Sequence, residues 1–210
     1  GEGGVRSVPD QCLRGLREAC VRHGVLLILD EVQTGMGRSG HLFVHQRVGI
    51  EPDIMAVAKG IGGGFPLGAC LARAEVAAAM VPGTHGTTYG GNPMAMAAGN
   101  AVLDVVLEEG FLDTVQARAR DLTQSLGALI DLFPDIFTQV RGEGLLMGLK
   151  CAIRVGEVVA AARDKGLLLV AAGDNVVRLL PPLIVTREDI AFAMDALEEA
   201  ARQLDDERPS

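Results

Sequence analysis

Two short uncharged runs in the first third of the chain each end on a single charged residue. Val25–Leu29 is apolar and branched and is followed at once by Asp30, while Ile54–Ala58 follows the turn signal Pro52-Asp53 and ends on Lys59. Bounded apolar runs of this kind predict strands buried on both faces. Upstream, Ser7 and Pro9 precede helical spacing to about Arg22, with Leu13, Leu16 and Cys20 on one face and Gly24 as the stop. Helix, buried strand, loop and buried strand together predict a parallel or mostly parallel sheet of the α/β class. The glycines Gly60 to Gly64 lead into a further strand over Pro66–Ala72 and a short helix over Ala74–Met80.

Val81–Asn92 is a loop rich in Gly, Thr and His, and Asn92-Pro93 is an N-cap followed by proline at the first helical position. The helix it starts is expected to reach about Glu109, with Met96, Asn100, Leu103 and Leu107 on one stripe. The pattern changes near Gly110, where a second, smaller unit begins. Phe111 to about Leu132 is amphipathic and is closed by Pro134. Strands are expected over Gly144–Lys150 and Leu167–Val170, separated by a helix over Val155–Lys165 that Gly166 terminates. Gly173-Asp174-Asn175 then turns the chain into a hairpin strand, Val176–Leu180. Thr186 and Asp189 form a capping-box start for the last helix, whose apolar positions are Ile190, Met194, Leu197, Ala201 and Leu204; a frayed tail is expected from Asp205 to Ser210.

Composition narrows the function classes. The 210 residues include 49% hydrophobic and only 3% aromatic side chains with no Trp, so the core is aliphatic. A net charge of -8 without a basic run argues against nucleic acid or an anionic membrane as partner. Cys12, Cys20, Cys70 and Cys151 lack CxxC spacing and read as small buried hydrophobes in a reducing compartment. Neither they nor the four histidines offer the clustering that a metal site needs. No apolar run is long enough to span a bilayer and no signal peptide is visible, so a cytoplasmic location is expected. The opening Gly1-Glu2-Gly3-Gly4-Val5 reads as a chain already under way inside a domain.

In open α/β sheets ligands bind outside the carboxyl ends of the strands, which is where Asp30 and Lys59 would both point. Pyridoxal phosphate wants such a pair: a lysine amine for Schiff-base formation and a carboxylate that keeps the ring nitrogen protonated. The same two residues also suit a buried structural ion pair. The loop before Pro93 offers hydroxyls and amides beside a helix N-terminus, as a phosphate needs, and equally suits a flexible surface loop. Arg178, charged within an apolar strand, requires a partner or a ligand carboxylate, or else snorkels to water from an edge strand.

Three stretches carry a family resemblance: LLILDEVQTGMGRSG, AVAKGIGGGFPLGA and GTHGTTYGGNPMAMAAGNAVLDVV. Together they closely resemble the class III pyridoxal-phosphate aminotransferases of fold type I, over almost all of the chain. GEGGV, GEGLLMGL and AAGDNVVRLLPPL are most similar to the acetylornithine aminotransferases of arginine biosynthesis. The resemblance implies that residues 1–108 are the C-terminal part of the cofactor-binding large domain and 109–210 a small α+β domain. It implies Asp30 as partner of the pyridinium nitrogen, Val32 against one ring face, Gln33 on the ring hydroxyl and Lys59 as Schiff-base lysine and acid–base catalyst. Thr88 would reach the cofactor phosphate of the other subunit of a homodimer. Arg178 would bind the α-carboxylate of glutamate, and Glu2 would pair with Arg178 when the other substrate is bound. His85 and Tyr89 are read as loop structure near the phosphate. Members of that family are about twice as long, and the missing part, before Gly1, supplies the other phosphate loop and the aromatic that stacks on the ring. The expected reaction moves an amino group between N2-acetyl-L-ornithine and 2-oxoglutarate. Ornithine, succinylornithine and 4-aminobutyrate aminotransferases are the alternatives within the class, and an inactive structural module is the alternative outside it.

Overall fold

Helix α1 (Asp10–His23) carries an acid in its first turn and Arg22 and His23 in its last, which suits the helix dipole, and Gly24 ends it at φ 63°. The computed structural model describes residues 1–208. They form two compact units: Val8–Leu112, and Gly1–Ser7 together with the chain from Asp113 onward. The first seven residues therefore belong with the C-terminal unit.

In the unit Val8–Leu112, strand β1 (Ile28–Asp30) pairs parallel with β2 (Ile54–Val57), which pairs antiparallel with β3 (Ala69–Ala72). The order β1-β2-β3 makes β1 an edge strand. This corrects the expectation of a first strand buried on both faces: Val25, Leu26 and Ile28 are 57%, 50% and 61% exposed. Their apolar pattern is that of a covered strand, and no described residue covers them. β2 instead alternates, with Met55 and Val57 buried. The face of α1 is used only in part, since Leu13 and Cys20 pack on the cluster Leu27, Val48 and Ile50 while Leu16 is exposed. Short helices α2 (Val44–Val48) and α3 (Ala74–Ala77) follow β1 and β3. Helix α4 (Pro93–Val106) starts as expected, the Asn92 side chain accepting the Ala95 amide hydrogen. Its buried positions are Ala95, Gly99 and Val106, so the inward stripe lies one position away from that expected. Gly99 is inward because a side chain there would meet Leu67 Cδ2 at 2.9 Å.

The other unit has its own core. Helix α5 (Phe111–Leu132) buries Val115, Ala119, Leu122, Leu126 and Leu129. The four-stranded antiparallel sheet has the order β4-β5-β7-β6, made of β4 (Phe137–Glu143), β5 (Leu146–Cys151), β6 (Val170–Ala172) and β7 (Val176–Leu179). β4 escapes sequence reading because it is a polar edge strand with a register irregularity between Phe137 and Gln139. β6 begins at Val170, later than its apolar run suggests. Helix α6 (Val155–Asp164) lies in the chain between β5 and β6. Helix α7 (Arg187–Asp206) opens on the capping box, Thr186 and Asp189 each accepting the other's amide hydrogen. It still includes Asp205 and Asp206, so the tail starts later than expected, and Pro209 and Ser210 lie outside the described residues.

The cysteine expectation holds only in part. All four thiols are free, but Cys12 and Cys70 are exposed and Cys20 is half-buried, leaving Cys151 as the buried one. Among the described residues no helix is long and apolar enough to cross a membrane.

Candidate active site

The parallel register places Asp30 opposite Ala56, so β1 ends on the acid where β2 runs toward its own carboxyl end and Lys59. Both side chains are exposed. Asp30 Oδ1 accepts the Val32 amide hydrogen at 3.0 Å, and its other oxygen has no partner among the described residues. The Lys59 amine likewise has no hydrogen-bond or ion-pair partner among them. The structural ion pair is thus not what the two residues form.

Lys59 has a φ of 50°, in the left-handed region where a non-glycine residue is uncommon and costs about 1–3 kcal/mol. It opens a 3₁₀ turn, Lys59–Gly62, which Gly63 closes at φ 57°. The glycines are required by close packing. A side-chain carbon on Gly60 would stand 3.2 Å from Met36 Cβ, and one on Gly63 would stand 2.7 Å from Val102 Cγ2 of α4. The lysine is therefore held by backbone pressed between the Met36 loop and a helix.

Val32 and Gln33, both half-buried, lie on the turn that leaves β1. The residue that shapes this turn, Glu31, was not singled out from the sequence. It is 3% exposed; one carboxylate oxygen accepts the His45 amide hydrogen at 3.2 Å and the other accepts the Thr34 hydroxyl in a short hydrogen bond. Gly35 donates to the Glu31 carbonyl at 3.0 Å, and Phe43 packs so closely on Gly35 that a side chain there would clash. The only sequence signal for Glu31 was a second acid directly after Asp30. Thr88, His85 and Tyr89 are exposed on the loop before α4, where Thr87 Oγ1 accepts the Gly90 amide hydrogen at 3.0 Å.

In the other unit, Arg178 on β7 donates through Nη1 to Glu2 Oε1 at 3.3 Å, with side chains 14% and 74% exposed. The Arg178 Nε is buried without a hydrogen-bond partner among the described residues. Arg178 does not snorkel: its guanidinium is largely enclosed and turned to a carboxylate. It also borders a cavity of about 480 Å³ lined by Leu167, Leu169, Pro181, Ile190 and Phe192, among others.

An acid and a lysine at the ends of neighbouring strands, neither in an ion pair among the described residues, are the residue types that an aldehyde cofactor requires. Residues 1–201 match the family model for aminotransferase class-III, and the chain belongs to that family. It is 57% identical over 204 residues to the acetylornithine aminotransferase of Brucella melitensis, covering 97% of this chain and 51% of that protein. Among solved structures it resembles N-acetylornithine aminotransferase from Stenotrophomonas maltophilia (TM-score 0.89, 34% identity, 99% of this chain and 55% of that one). It also resembles ornithine aminotransferase from Toxoplasma gondii (TM-score 0.93, 33% identity, 99% and 50%). The chain spans about half the length of the curated relatives it matches.

Proposed function

We propose that this chain carries the lysine-bearing half of a pyridoxal-phosphate aminotransferase site that moves an amino group between N2-acetyl-L-ornithine and 2-oxoglutarate. The observation that carries the reading is that Asp30 and Lys59 stand at neighbouring strand ends, exposed and without an ion-pair partner among the described residues. The residues fit the cofactor: among the described residues Asp30 keeps one oxygen without a partner, able to accept a ring N–H, and the Lys59 amine is unengaged. When bound, pyridoxal phosphate supplies the aldehyde and an electron sink conjugated to the reacting carbon.

Lys59 would hold the cofactor through its amine, and the same amine would serve as the acid and base that moves the proton at the reacting carbon. Asp30 keeps the ring nitrogen protonated by placing a negative charge against it. Val32 would pack on one ring face and Gln33 would hydrogen-bond the ring hydroxyl. Thr88 binds the cofactor phosphate of the other subunit in a homodimer. Arg178 binds the α-carboxylate of glutamate with its planar fork. Glu2 neutralises Arg178 when the other substrate occupies the site, which lets one pocket accept both a dicarboxylate and a diamine derivative. The stretch up to residue 108 acts as part of the cofactor-binding domain, apart from Gly1–Ser7, which pack with the small domain, 109–210. The four unbridged thiols support a cytoplasmic setting.

The test is to add pyridoxal phosphate to the chain, reduce with borohydride and locate the adduct by peptide mass spectrometry. A Lys59 adduct that disappears in Lys59→Ala supports the reading, and labelling scattered over surface lysines overturns it for this chain. The choice of substrate rests on the 57% identity to an acetylornithine aminotransferase. Side-by-side rates with acetylornithine, ornithine, succinylornithine and 4-aminobutyrate test it, and a preference for any of the last three overturns it.

A further inference from the structure

Glu2 sits in a segment with no conformational preference of its own, Gly1-Glu2-Gly3-Gly4, yet its carboxylate meets Arg178. Something outside the segment must hold it there. We infer that Asp174 is a positioning residue for the Glu2–Arg178 pair, gathering Arg6, Arg141 and Lys150 around the β6–β7 turn so that the N-terminal segment is fixed beside the strand that carries Arg178. The inference rests on the reading of that pair as the substrate-side switch.

Asp174 Oδ2 accepts from Arg6 Nη2 at 2.8 Å and from Arg141 Nη1 at 2.7 Å, and Oδ1 accepts from Lys150 Nζ at 2.7 Å. The same Arg141 nitrogen donates to the Gly4 carbonyl at 3.3 Å, so one guanidinium joins the Asp174 carboxylate to the segment backbone. On the other side of Gly4, the Gly173 amide donates to the Glu2 carbonyl at 2.7 Å. The approach is tight: a side-chain carbon on Gly4 would stand 2.6 Å from the Gly173 carbonyl oxygen. Val5, at φ 50° and 3% exposed, plugs the segment into a cluster with Leu146 and Val176. Asp174 itself is left-handed, at φ 55°, and the chain runs from it directly into β7 and Arg178. Lys150 and then Arg141 hold its carboxyl well below the usual carboxylate range, so the clamp stays charged across the working pH range. Glu2, upstream of Arg6, and Arg178, downstream of Asp174, thus hang from one carboxylate.

The test is phenylglyoxal labelling of Arg178 in the 210-residue chain, read by peptide mass spectrometry. Arg118, whose side chain is also 14% exposed and lies in the same unit, is the internal reference for general loosening. Glu2→Gln opens the pair and sets the unpaired rate. Asp174→Asn is expected to raise Arg178 labelling to that rate, roughly two- to fivefold for loss of a partly exposed ion pair, with Arg118 unchanged. The double variant is expected to label no faster than Glu2→Gln alone. Arg6→Gln should move Arg178 in the same direction by less, and it decides the matter if Asp174→Asn fails to fold. Fast labelling in Glu2→Gln with wild-type labelling in Asp174→Asn and Arg6→Gln overturns the positioning role. So does a parallel rise at Arg118, or additivity in the double variant. Wild-type labelling in Glu2→Gln overturns the pair itself, and with it the reading beneath.

Discussion

Asp53 Oδ2 accepts the Leu27 amide hydrogen at 2.7 Å, so an acid just before one strand fixes the entry to the strand that ends on Asp30. Arg17 of α1 donates to the same oxygen at 2.7 Å, and Arg73, beyond β3, reaches Oδ1 at 3.4 Å. The Arg73 amide also donates to the Asp53 carbonyl at 3.0 Å. One buried residue therefore ties the first helix to all three strands of the sheet.

Asp53→Asn is expected to lower the melting temperature at neutral pH, and the loss should depend on pH in a defined direction. The Leu27 amide first, and then Arg17, hold the Asp53 carboxyl below the usual carboxylate range. A folded pKa below the unfolded value of about 3.9 stabilises the fold above that value, and the contribution disappears as pH falls through the folded pKa. Thermal melts from neutral pH down to about pH 3 should show the gap between wild type and Asp53→Asn closing in the acid. A gap independent of pH would contradict this role.

Glu31 is expected to act on the turn that carries Val32 and Gln33 through geometry rather than contact. Glu31→Gln replaces one acceptor oxygen by a donor, so the Thr34 hydroxyl and the His45 amide cannot both go on donating to this side chain. Hydrogen bonds to a charged group are worth about 1.5–3 kcal/mol each, and a loss near the lower figure is expected in chemical denaturation. Pyridoxal phosphate labelling of Lys59 should persist in this variant but require more cofactor, because Val32 and Gln33 lie on the turn that Glu31 anchors.

The cysteines should separate by rate. Cys12 and Cys70 are exposed and should alkylate first, Cys20 more slowly. Burial pushes the Cys151 thiol up to about 11, so it should react only when its unit opens. Peptide mass spectrometry of a timed alkylation checks the order. Early modification of Cys151 would show that its unit unfolds more readily than its core predicts.

The sequence revealed the architecture wherever local chemistry decides it. Asn92-Pro93, Thr186 with Asp189, and Gly24 marked helix ends because caps are satisfied within a few residues. Asp30, Lys59 and Arg178 stood out as charges ending or interrupting apolar runs. What could not be read depends on partners distant in the chain. The polar edge strand β4 is defined by its pairing with β5, and the inward stripe of α4 by Leu67 and the turn after Lys59. Asp53, Glu31 and Asp174 look like ordinary surface acids until Arg17, His45 and Arg141 arrive from elsewhere in the chain. The exposure of β1 departs from its apolar run because such a run reflects the environment a strand is suited to, which the described residues do not supply.

The turn that presents Lys59 provides the sharpest test of packing. Gly24 and Gly63 have nearly the same backbone conformation, φ 63° and 57°, but a side-chain carbon meets nothing within 4 Å at the first and Val102 Cγ2 at 2.7 Å at the second. Gly24→Ala should therefore cost only the left-handed strain, about 1 kcal/mol. Gly63→Ala should add an overpacking cost of about 1–3 kcal/mol and reduce Lys59 labelling by pyridoxal phosphate. Val102→Ala, which removes the opposing methyls, should recover most of that added cost when combined with Gly63→Ala and none of the cost of Gly24→Ala. Equal losses for the two glycine variants, or no recovery in the double variant, would mean that α4 does not press on the lysine turn.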